Sequence, residues 1–274
     1  MQAYRPTWLE INLTDIAHNC RVAKSYAQED TIVAAVVKAN AYGHGAVEVG
    51  RACIEAGAGY LVVATMGEAV ELREAGIEVP VLILGWTPEE SFEQAITYKI
   101  HVALYDLEEA RKLNAKAMAM GKKALGHLKI DTGMSRLGMQ ADETGLETAA
   151  AILQMDGIAI EGMFTHFSKA DEADKAFANL QIERFNRFTD ELERRTGVHI
   201  GLRHMGASAG VMDMPEGHYN MIRPGIMLYG YQPSDEMHHV ADLKPALTWK
   251  ARIGRAVWLS AGRLIGYNGT FELK

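Results

Sequence analysis

Polar residues that can do chemistry occur where short apolar segments of the sequence end. There are five such residues. Four of them follow a segment, directly or within a few residues: Lys38, Arg136, His166 and Ser208. The fifth, Arg223, lies within the last segment. A buried lysine whose pKa is lowered can form a Schiff base with a carbonyl group. A serine hydroxyl beside the backbone amides of Gly225 and Ile226 can bind a phosphate group. A Schiff-base lysine together with a phosphate site predicts pyridoxal 5′-phosphate as the cofactor.

The apolar segments alternate with stretches that are typical of amphipathic helices. Eight segments recur along the chain: 31–37, 60–65, 79–84, 102–105, 127–130, 158–164, 199–203 and 221–229. Continuous apolar strands indicate a sheet that is buried on both faces. Eight strand–helix repeats predict an α/β fold, a (β/α)8 TIM-type barrel, whose active site lies at the carboxyl ends of the strands. The five polar residues are therefore expected to converge there.

An open, doubly wound sheet is the alternative fold for such an alternation. That fold commonly has a Gly-x-Gly-x-x-Gly turn after its first strand. The sequence has Gly43-His44-Gly45 at this place, without the third glycine. The barrel is therefore favoured.

Alternating apolar and polar residues predict further strands outside the barrel, at 8–13 and 247–253. Thr14 is expected to cap the first helix. The patterns predict three parts of the chain: residues 1–13 as an N-terminal strand that packs with a β domain, residues 14–234 as the cofactor-binding barrel, and residues 235–274 as part of a C-terminal β domain.

Composition excludes several classes of function. The 274 residues are 48% hydrophobic and 23% charged, as in ordinary globular proteins, and the net charge is −7. An acidic chain is repelled by a phosphate backbone, so nucleic acid is not expected as a partner. The longest apolar run, 32–37, is far too short to span a bilayer, and the first residues do not form a secretory signal. We therefore expect no membrane partner.

Neither the cysteines nor the histidines predict a metal site. Cys20 and Cys53 are expected to be buried thiols in a reducing cytoplasm. The ten histidines contain no His-Glu-x-x-His motif.

Four motifs, in order along the chain, resemble those of bacterial alanine racemases, which are pyridoxal-phosphate enzymes of fold type III. The motifs are 5–11 (RPTWLEI), 37–45 (VKANAYGHG), 131–138 (DTGMSRLG) and 223–230 (RPGIMLYG). The resemblance covers essentially the whole chain. It implies that a cytoplasmic homodimer racemises L-alanine and D-alanine by a two-base mechanism and so supplies D-alanine for peptidoglycan.

The resemblance also implies roles for individual residues. Lys38 would carry the cofactor covalently and act as one catalytic base, and Tyr267 would be the other. Arg136 would bind the substrate carboxylate. Arg223 would face the pyridine nitrogen, and His166 would lie beside the cofactor ring and support the catalytic tyrosine. Four residues would contact the cofactor phosphate: Tyr42, Ser208, Gly225 and Ile226.

Two features depart from the family pattern. Ala207 stands where asparagine is usual, and the loss of its side-chain hydrogen bond would weaken the phosphate site by about 1 kcal/mol. The C-terminal β domain is expected to be truncated at Lys274, so a second tyrosine from that domain would be missing. A barrel that binds the cofactor without turnover is therefore an alternative function. A decarboxylase or aldolase is another, although the motifs around Lys38 and Tyr267 favour a racemase. Lys129 matches a lysine that some family members carry as a carbamate.

Overall fold

Eight parallel strands close into a barrel in the computed structural model, which describes residues 5–274. The strands of the chain are β1 (Thr7–Ile11), β2 (Ile32–Val36), β3 (Tyr60–Val63), β4 (Val81–Ile83), β5 (Ile100–Leu104), β6 (Ala124–Asp131), β7 (Met139–Gln140), β8 (Ile158–Phe164), β9 (Leu202–His204), β10 (Met221–Ile222), β11 (Leu247–Ala251), β12 (Leu264–Ile265) and β13 (Phe271–Glu272). The barrel order is β2-β3-β4-β5-β6-β8-β9-β10, and the pairing of β10 with β2 closes the ring. The predicted TIM-type barrel is confirmed, and the open sheet is wrong.

Helical segments connect the barrel strands. They are α1 (Leu13–Ser25), α2 (Lys38–Gly43), α3 (Ala46–Glu55), α4 (Met66–Glu74), α5 (Phe92–Thr97), α6 (Leu107–Ala119), α7 (Glu143–Leu153), α8 (Ala176–Thr196) and α9 (Ser208–Asp213). The prediction that Thr14 caps the first helix is wrong. Asn12 is the cap, because it is the last extended residue and its side-chain oxygen accepts the amides of Thr14 and Asp15 at 3.0 and 3.4 Å.

The last predicted strand is shorter than expected, since β10 has only two residues. Pro224 has no N–H group to donate to a strand, and Gly225 turns the chain with φ −119° and ψ −94°. Ile226–Tyr229 then forms a 3-10 turn instead of a strand. The Tyr229 hydroxyl donates to the carbonyl of Val36 at 2.7 Å. This bond docks the turn on the carboxyl end of β2.

Both faces of the barrel strands are buried, because alternate side chains point to opposite sides of a strand. One apolar set faces the inside of the barrel: Ala34, Val36, Tyr60, Val62, Leu82 and Met221. The next residues along the same strands pack against the helices, among them Val33, Ala35, Leu61 and Val63. This double burial is the reason why the strands are continuously apolar in sequence.

The chain forms two compact units. One spans Asn12–Ala246 and contains the barrel; the other comprises the described residues up to Ile11 together with Leu247–Lys274. In the second unit β1 pairs antiparallel with β11, with Leu9 opposite Trp249, and β12 pairs with β13. The predicted domain limits at 13/14 and 234/235 stay predictions.

Three observations bear on partners and metals. Cys20 and Cys53 are buried free thiols. Within residues 5–274, no helix is both long and apolar enough to cross a membrane. The same residues contain no group of three or more acidic, histidine or cysteine side chains that could hold a metal ion.

Candidate active site

A cavity of about 360 Å³ opens at the carboxyl end of the barrel. Seven of the predicted site residues line it: Lys38, Tyr42, His166, Ser208, Arg223, Gly225 and Ile226. An adjoining cavity of about 190 Å³ shares Lys38, His166 and Arg223 with the first and adds Lys129 and Arg136. The fold therefore brings together every predicted site residue of the barrel unit.

A larger groove of about 730 Å³ lies at the amino end of the barrel, beside the start of β9 and β10. It shares no lining residue with the two cavities at the carboxyl end. Its Arg203 is already paired with Glu193 at 2.7 Å. None of the predicted site residues lines this groove.

The chain reverses its helical hand directly after Lys38. The four residues that follow, Ala39, Asn40, Ala41 and Tyr42, have φ between 51° and 53°. Left-handed residues other than glycine cost roughly 1–2 kcal/mol each, so surrounding contacts must hold this turn. The carboxylate of Glu68 accepts the amides of Ala39 and Ala64, each at 2.7 Å. Glu68 thereby ties the first residue of the turn to the end of β3 and holds Lys38 at the rim of the cavity.

We expect Glu68→Gln to lower the free energy of unfolding by about 1–2 kcal/mol, because its amide group offers a donor where a backbone N–H needs an acceptor. Urea denaturation measures this change. Glu71→Gln is the matched control, since Glu71 is exposed on the same helix. Equal stability of the two variants would show that Glu68 does not hold the turn.

Ser208 and Gly225 form a small polar recess in the cavity. The Ser208 hydroxyl accepts the amides of Gly225 and Met227 at 3.0 and 3.3 Å. A Cβ atom on Gly225 would lie 3.2 Å from the Tyr42 hydroxyl, so a side chain there would narrow the recess. Ala207 precedes α9 and makes no side-chain capping bond. Because the Ser208 hydroxyl accepts both of these bonds, its own proton remains available for donation to a phosphate group.

Arg223 is fully buried and has four acceptors around its terminal nitrogens. Nη2 lies 2.9 Å from the carbonyl oxygens of Thr165 and Met205 and 3.1 Å from Nδ1 of His166, so its two protons serve three acceptors and one proton is shared. Nη1 donates to Nδ1 of His204 at 2.8 Å. Nε is buried and has no partner within the described residues. Burial lowers the pKa of Arg223 to about 9, so the group stays cationic at neutral pH.

His166 is an electrically neutral hydrogen-bonding group. Because its Nδ1 accepts from Arg223, its proton must lie on Nε2. Burial, followed by the charges of Arg223, Arg136 and other nearby cations, lowers the pKa of His166 to about 3. His166 can therefore donate a hydrogen bond from Nε2 but does not carry a positive charge near pH 7.

Lys129 and Arg136 are the cations of the adjoining cavity. The Lys129 ammonium donates to the carbonyl of Leu84 at 3.0 Å and lies 5.1 Å from the Phe164 ring centre. Burial, then the charges of Arg223 and Arg136, lowers the pKa of Lys129 to about 8. Arg136 forms no hydrogen bond or ion pair with any residue of 5–274, which leaves its guanidinium available to an anion.

The loop that carries Arg136 is held by one carboxylate. The Oδ1 atom of Asp131 accepts the amides of Gly133, Met134 and Ser135 at 2.9–3.1 Å. Asp131 ends β6, so this turn ties the loop to the rim of the barrel.

The lowered pKa of Lys129 makes stability depend on pH in a defined direction. Between pH 8 and the ordinary lysine pKa, the unfolded chain binds more protons than the folded one, so the free energy of unfolding rises with pH. We expect a gain of up to about 3 kcal/mol across this window. Chemical denaturation in buffers free of carbon dioxide measures it. Lys129→Met should lack this gain, and parallel pH curves for the two proteins would contradict the expectation.

Tyr267 belongs to the second unit, which includes Leu247–Lys274. It begins a 3-10 turn, Tyr267–Gly269, between β12 and β13. Its side chain is 97% exposed. The barrel unit therefore assembles Lys38 and its neighbours without this residue.

Sequence reasoning missed three residues that position the site: Glu68, Asp131 and His204. For Glu68 a signal was present, because Thr65-x-x-Glu68 has the form of a helix capping box, which the structure contains. Asp131 begins the motif 131–138, which also contains Arg136, but its carboxylate was given no role. His204 lies inside the barrel, and its partner Arg223 is distant in sequence.

Comparisons with known proteins give a consistent result. The family described as "Alanine racemase, N-terminal domain" matches residues 11–233. The alanine racemase of Carboxydothermus hydrogenoformans is 45% identical over 268 residues, which are 97% of this chain and 72% of that protein. The alanine racemase structure of Clostridium difficile 630 superposes with a TM-score of 0.95 at 40% identity, over 99% of this chain and 71% of that one. The Bacillus anthracis alanine racemase with bound L-Ala-P gives a TM-score of 0.92 at 31% identity, over 100% of this chain and 71% of that one.

Proposed function

Since the chain belongs to the alanine racemase family, we propose that it interconverts L-alanine and D-alanine with pyridoxal 5′-phosphate as its cofactor. Lys38 and Tyr267 are the two bases of the reaction. D-alanine made in this way supplies peptidoglycan synthesis for the cell wall, and the protein acts in the cytoplasm.

One observation carries the proposal: a single cavity collects a group for each functional part of the cofactor. Lys38 offers an amine for the aldehyde. The Ser208 hydroxyl, with Ile226 and the Tyr42 hydroxyl beside the same recess, offers donors for the phosphate, and Gly225 leaves the recess open because it has no side chain. The buried, unpartnered Nε of Arg223 offers a donor for the ring nitrogen. The residues present therefore fit the cofactor.

The residues of the chain prepare the substrate for proton transfer. When bound, pyridoxal 5′-phosphate withdraws electrons from the substrate and makes the Cα proton acidic. Arg136 binds the substrate carboxylate and fixes which bonds at Cα face the bases. Lys38 exchanges a proton with one face of Cα. Arg223 keeps a positive charge against the ring nitrogen, which disfavours protonation of that nitrogen.

Racemisation requires a second base, because the proton must return on the face opposite to the one it left. Tyr267 serves this face, and we propose a homodimer in which it reaches the site of the partner subunit. A tyrosine has an ordinary pKa of about 10, so its phenolate needs a hydrogen-bond donor to form near neutral pH. The Nε2 proton of His166 is suited to donate this bond.

Lys129 is proposed to be carbamylated. Its lowered pKa leaves part of the amine neutral near pH 8. A neutral amine adds to carbon dioxide and releases one proton, and the resulting carbamate would place an anion beside Arg136.

Replacing Arg223 with glutamate tests the electronic role of the arginine. We expect Arg223→Glu to raise the formation of pyruvate from alanine several-fold relative to racemisation, because a carboxyl group permits protonation of the ring nitrogen and so favours transamination. Pyruvate is measured with a coupled dehydrogenase. Arg223→Gln is the control that removes the cation without adding an acid. A pyruvate rate that stays flat in Arg223→Glu would contradict this role.

A second candidate function is cofactor binding without turnover. It is favoured by the exposure of Tyr267 in a unit separate from the barrel, whereas all the proposed cofactor contacts lie in the barrel unit. In this case the chain would hold pyridoxal 5′-phosphate on Lys38 but leave one face of the substrate without a base.

The test is to load the purified chain with pyridoxal 5′-phosphate, record its absorbance spectrum, and detect D-alanine after adding L-alanine. A cofactor absorbance band near the visible edge of the spectrum, together with D-alanine formation, supports the racemase. The same band without D-alanine supports the second candidate. Absence of the band contradicts both. The native mass of the loaded protein then reports whether it is a dimer.

A further inference from the structure

A line of buried hydrogen bonds continues from Arg223 into the interior of the barrel. His204 Nε2 lies 2.8 Å from Nδ1 of His127, and Nε2 of His127 lies 3.4 Å from the hydroxyl of Tyr60. His204 and His127 are fully buried, and Tyr60 is nearly so. These residues come from β9, β6 and β3, so the line crosses the barrel between strands that are not neighbours.

The donor at one end of the line fixes the protons along it. A guanidinium can only donate, so Nδ1 of His204 must accept from Arg223. The proton of a neutral His204 is then on Nε2 and is donated to Nδ1 of His127. His127 in turn carries its proton on Nε2, facing Tyr60. Each histidine therefore has one permitted tautomer.

Both histidines are held neutral by their surroundings. Burial, together with neighbouring histidine and arginine charges, puts the pKa of His127 and of His204 well below the ordinary value. The carboxylate next to this group, Glu161, is bound to His101 at 2.8 Å and not to either of them. Burial also raises the pKa of Tyr60, so its hydroxyl stays protonated.

The barrel is shaped around these two rings. A Cβ atom on Gly162 would lie 2.7 Å from Nδ1 of His127, so only glycine leaves room for the imidazole. Phe164 stacks on His204 with ring centres 4.8 Å apart and an angle of 5° between the planes. The orientation of both imidazoles is therefore determined by packing as well as by hydrogen bonds.

We propose that His127 is a positioning residue for the cofactor cavity: by accepting the Nε2 proton of His204, it stabilises the tautomer of His204 that the bond from Arg223 requires. The bond to Arg223 keeps the guanidinium turned so that Nε is left without a protein partner. Without His127, the Nε2 proton of His204 has no acceptor, and a His204 that carries its proton on Nδ1 would repel Arg223. The expected effect on cofactor binding depends on the proposed function, whereas the predicted tautomers of His204 and His127 do not.

Two substitutions separate the hydrogen bond from the volume of the ring. His127→Leu removes the acceptor, whereas His127→Asn places a side-chain oxygen near the position of Nδ1 and restores it. His218→Leu is the control: His218 is buried in the same unit but donates to the carbonyl of Val211, outside this line. Circular dichroism establishes that each variant is folded.

The first readout is nitrogen NMR of the full chain labelled with ¹⁵N-histidine, recorded without cofactor. We expect His204 and His127 to show a protonated Nε2 and an unprotonated Nδ1 from pH 6 to pH 9. His127→Asn and His218→Leu should leave the His204 signals in place, and His127→Leu should shift or broaden them. A protonated Nδ1 on His204 in the unmodified chain would overturn the proposal, even if His127→Leu does not fold.

The second readout is the affinity for pyridoxal 5′-phosphate, measured by absorbance titration. We expect His127→Leu to bind the cofactor about tenfold more weakly, as is typical when a residue that orients a ligand-binding group is lost, and His127→Asn to recover most of the loss. Equal losses in His127→Leu and His218→Leu would assign the effect to general stability and overturn the proposal. If the unmodified chain binds no cofactor, the proposed function fails, while the NMR result still decides the tautomer arrangement.

Discussion

Lys38→Ala is expected to abolish cofactor capture and to lower the rate of racemisation by about 10⁴-fold or more, as for other residues that make a covalent bond in catalysis. Among the described residues that line this cavity, Lys38 alone has an amine that can bond to the aldehyde, and it is also one of the two proposed bases. One substitution therefore removes two functions. D-alanine formation and the absorbance band of the loaded protein measure the two losses together.

Lys169→Ala is the matched control for this substitution. Lys169 follows β8 at the same end of the barrel, but its ammonium is exposed and pairs with Glu172 at 3.2 Å. We expect the control to keep both the band and the activity. If Lys38→Ala still racemised alanine at the unmodified rate, Lys38 would not be the covalent residue or a base.

Tyr267→Phe is expected to lower racemisation by about 10²–10⁴-fold, which is the usual contribution of a general acid–base group. The cofactor band should remain, because no barrel residue is changed. Lys38 should still remove and return the Cα proton on its own face of the substrate. One enantiomer of alanine should therefore incorporate deuterium from D2O at Cα and keep its configuration. Mass spectrometry and chiral chromatography measure incorporation and configuration separately.

Tyr98→Phe serves as the control for Tyr267→Phe, since Tyr98 lies before β5 at the amino end of the barrel. In Tyr98→Phe, both enantiomers of alanine should still exchange the Cα hydrogen with solvent and interconvert. Loss of deuterium incorporation from both enantiomers in Tyr267→Phe would mean that Tyr267 does not act on one face alone. Unchanged racemisation would remove it from the mechanism.

The barrel was predictable from sequence because its signal is local and repeated. Each apolar segment is buried on both faces and is followed by a helix or turn. The alternation of strand and helix can therefore be recognised in the sequence even where a strand is short. The length of the last strand was overestimated because Ile226–Tyr229 is apolar for another reason: three of its four residues are buried in a 3-10 turn. Apolar character alone does not distinguish the two.

The members of the site were predictable, but their arrangement was not. Strand ends and motifs placed Lys38, Arg136 and Ser208 at one end of the barrel. The left-handed turn after Lys38 was not predicted, because alanine and tyrosine rarely adopt it and a distant carboxylate, Glu68, helps to hold it. The acceptors of Arg223 were missed for a related reason, since they include backbone carbonyls that no side-chain pattern reveals.

Two lysines compete for the role of the covalent residue. Lys129 is buried and has the lowered pKa that favours a Schiff base, whereas Lys38 is half-buried but stands next to the phosphate recess. If Ser208 holds the phosphate and Arg223 faces the ring nitrogen, as proposed, the aldehyde would lie nearer to Lys38 than to Lys129. We therefore expect the covalent bond to form on Lys38, although Lys129 has the lowered pKa.

Borohydride reduction of the loaded protein decides between them. Reduction makes the bond between cofactor and lysine permanent, and peptide mass spectrometry then identifies the modified residue. We predict a single pyridoxyl group, on the peptide that contains Lys38. A pyridoxyl group on Lys129, or no labelled peptide at all, would contradict the proposal that the cavity between Lys38, Ser208 and Arg223 is the cofactor site.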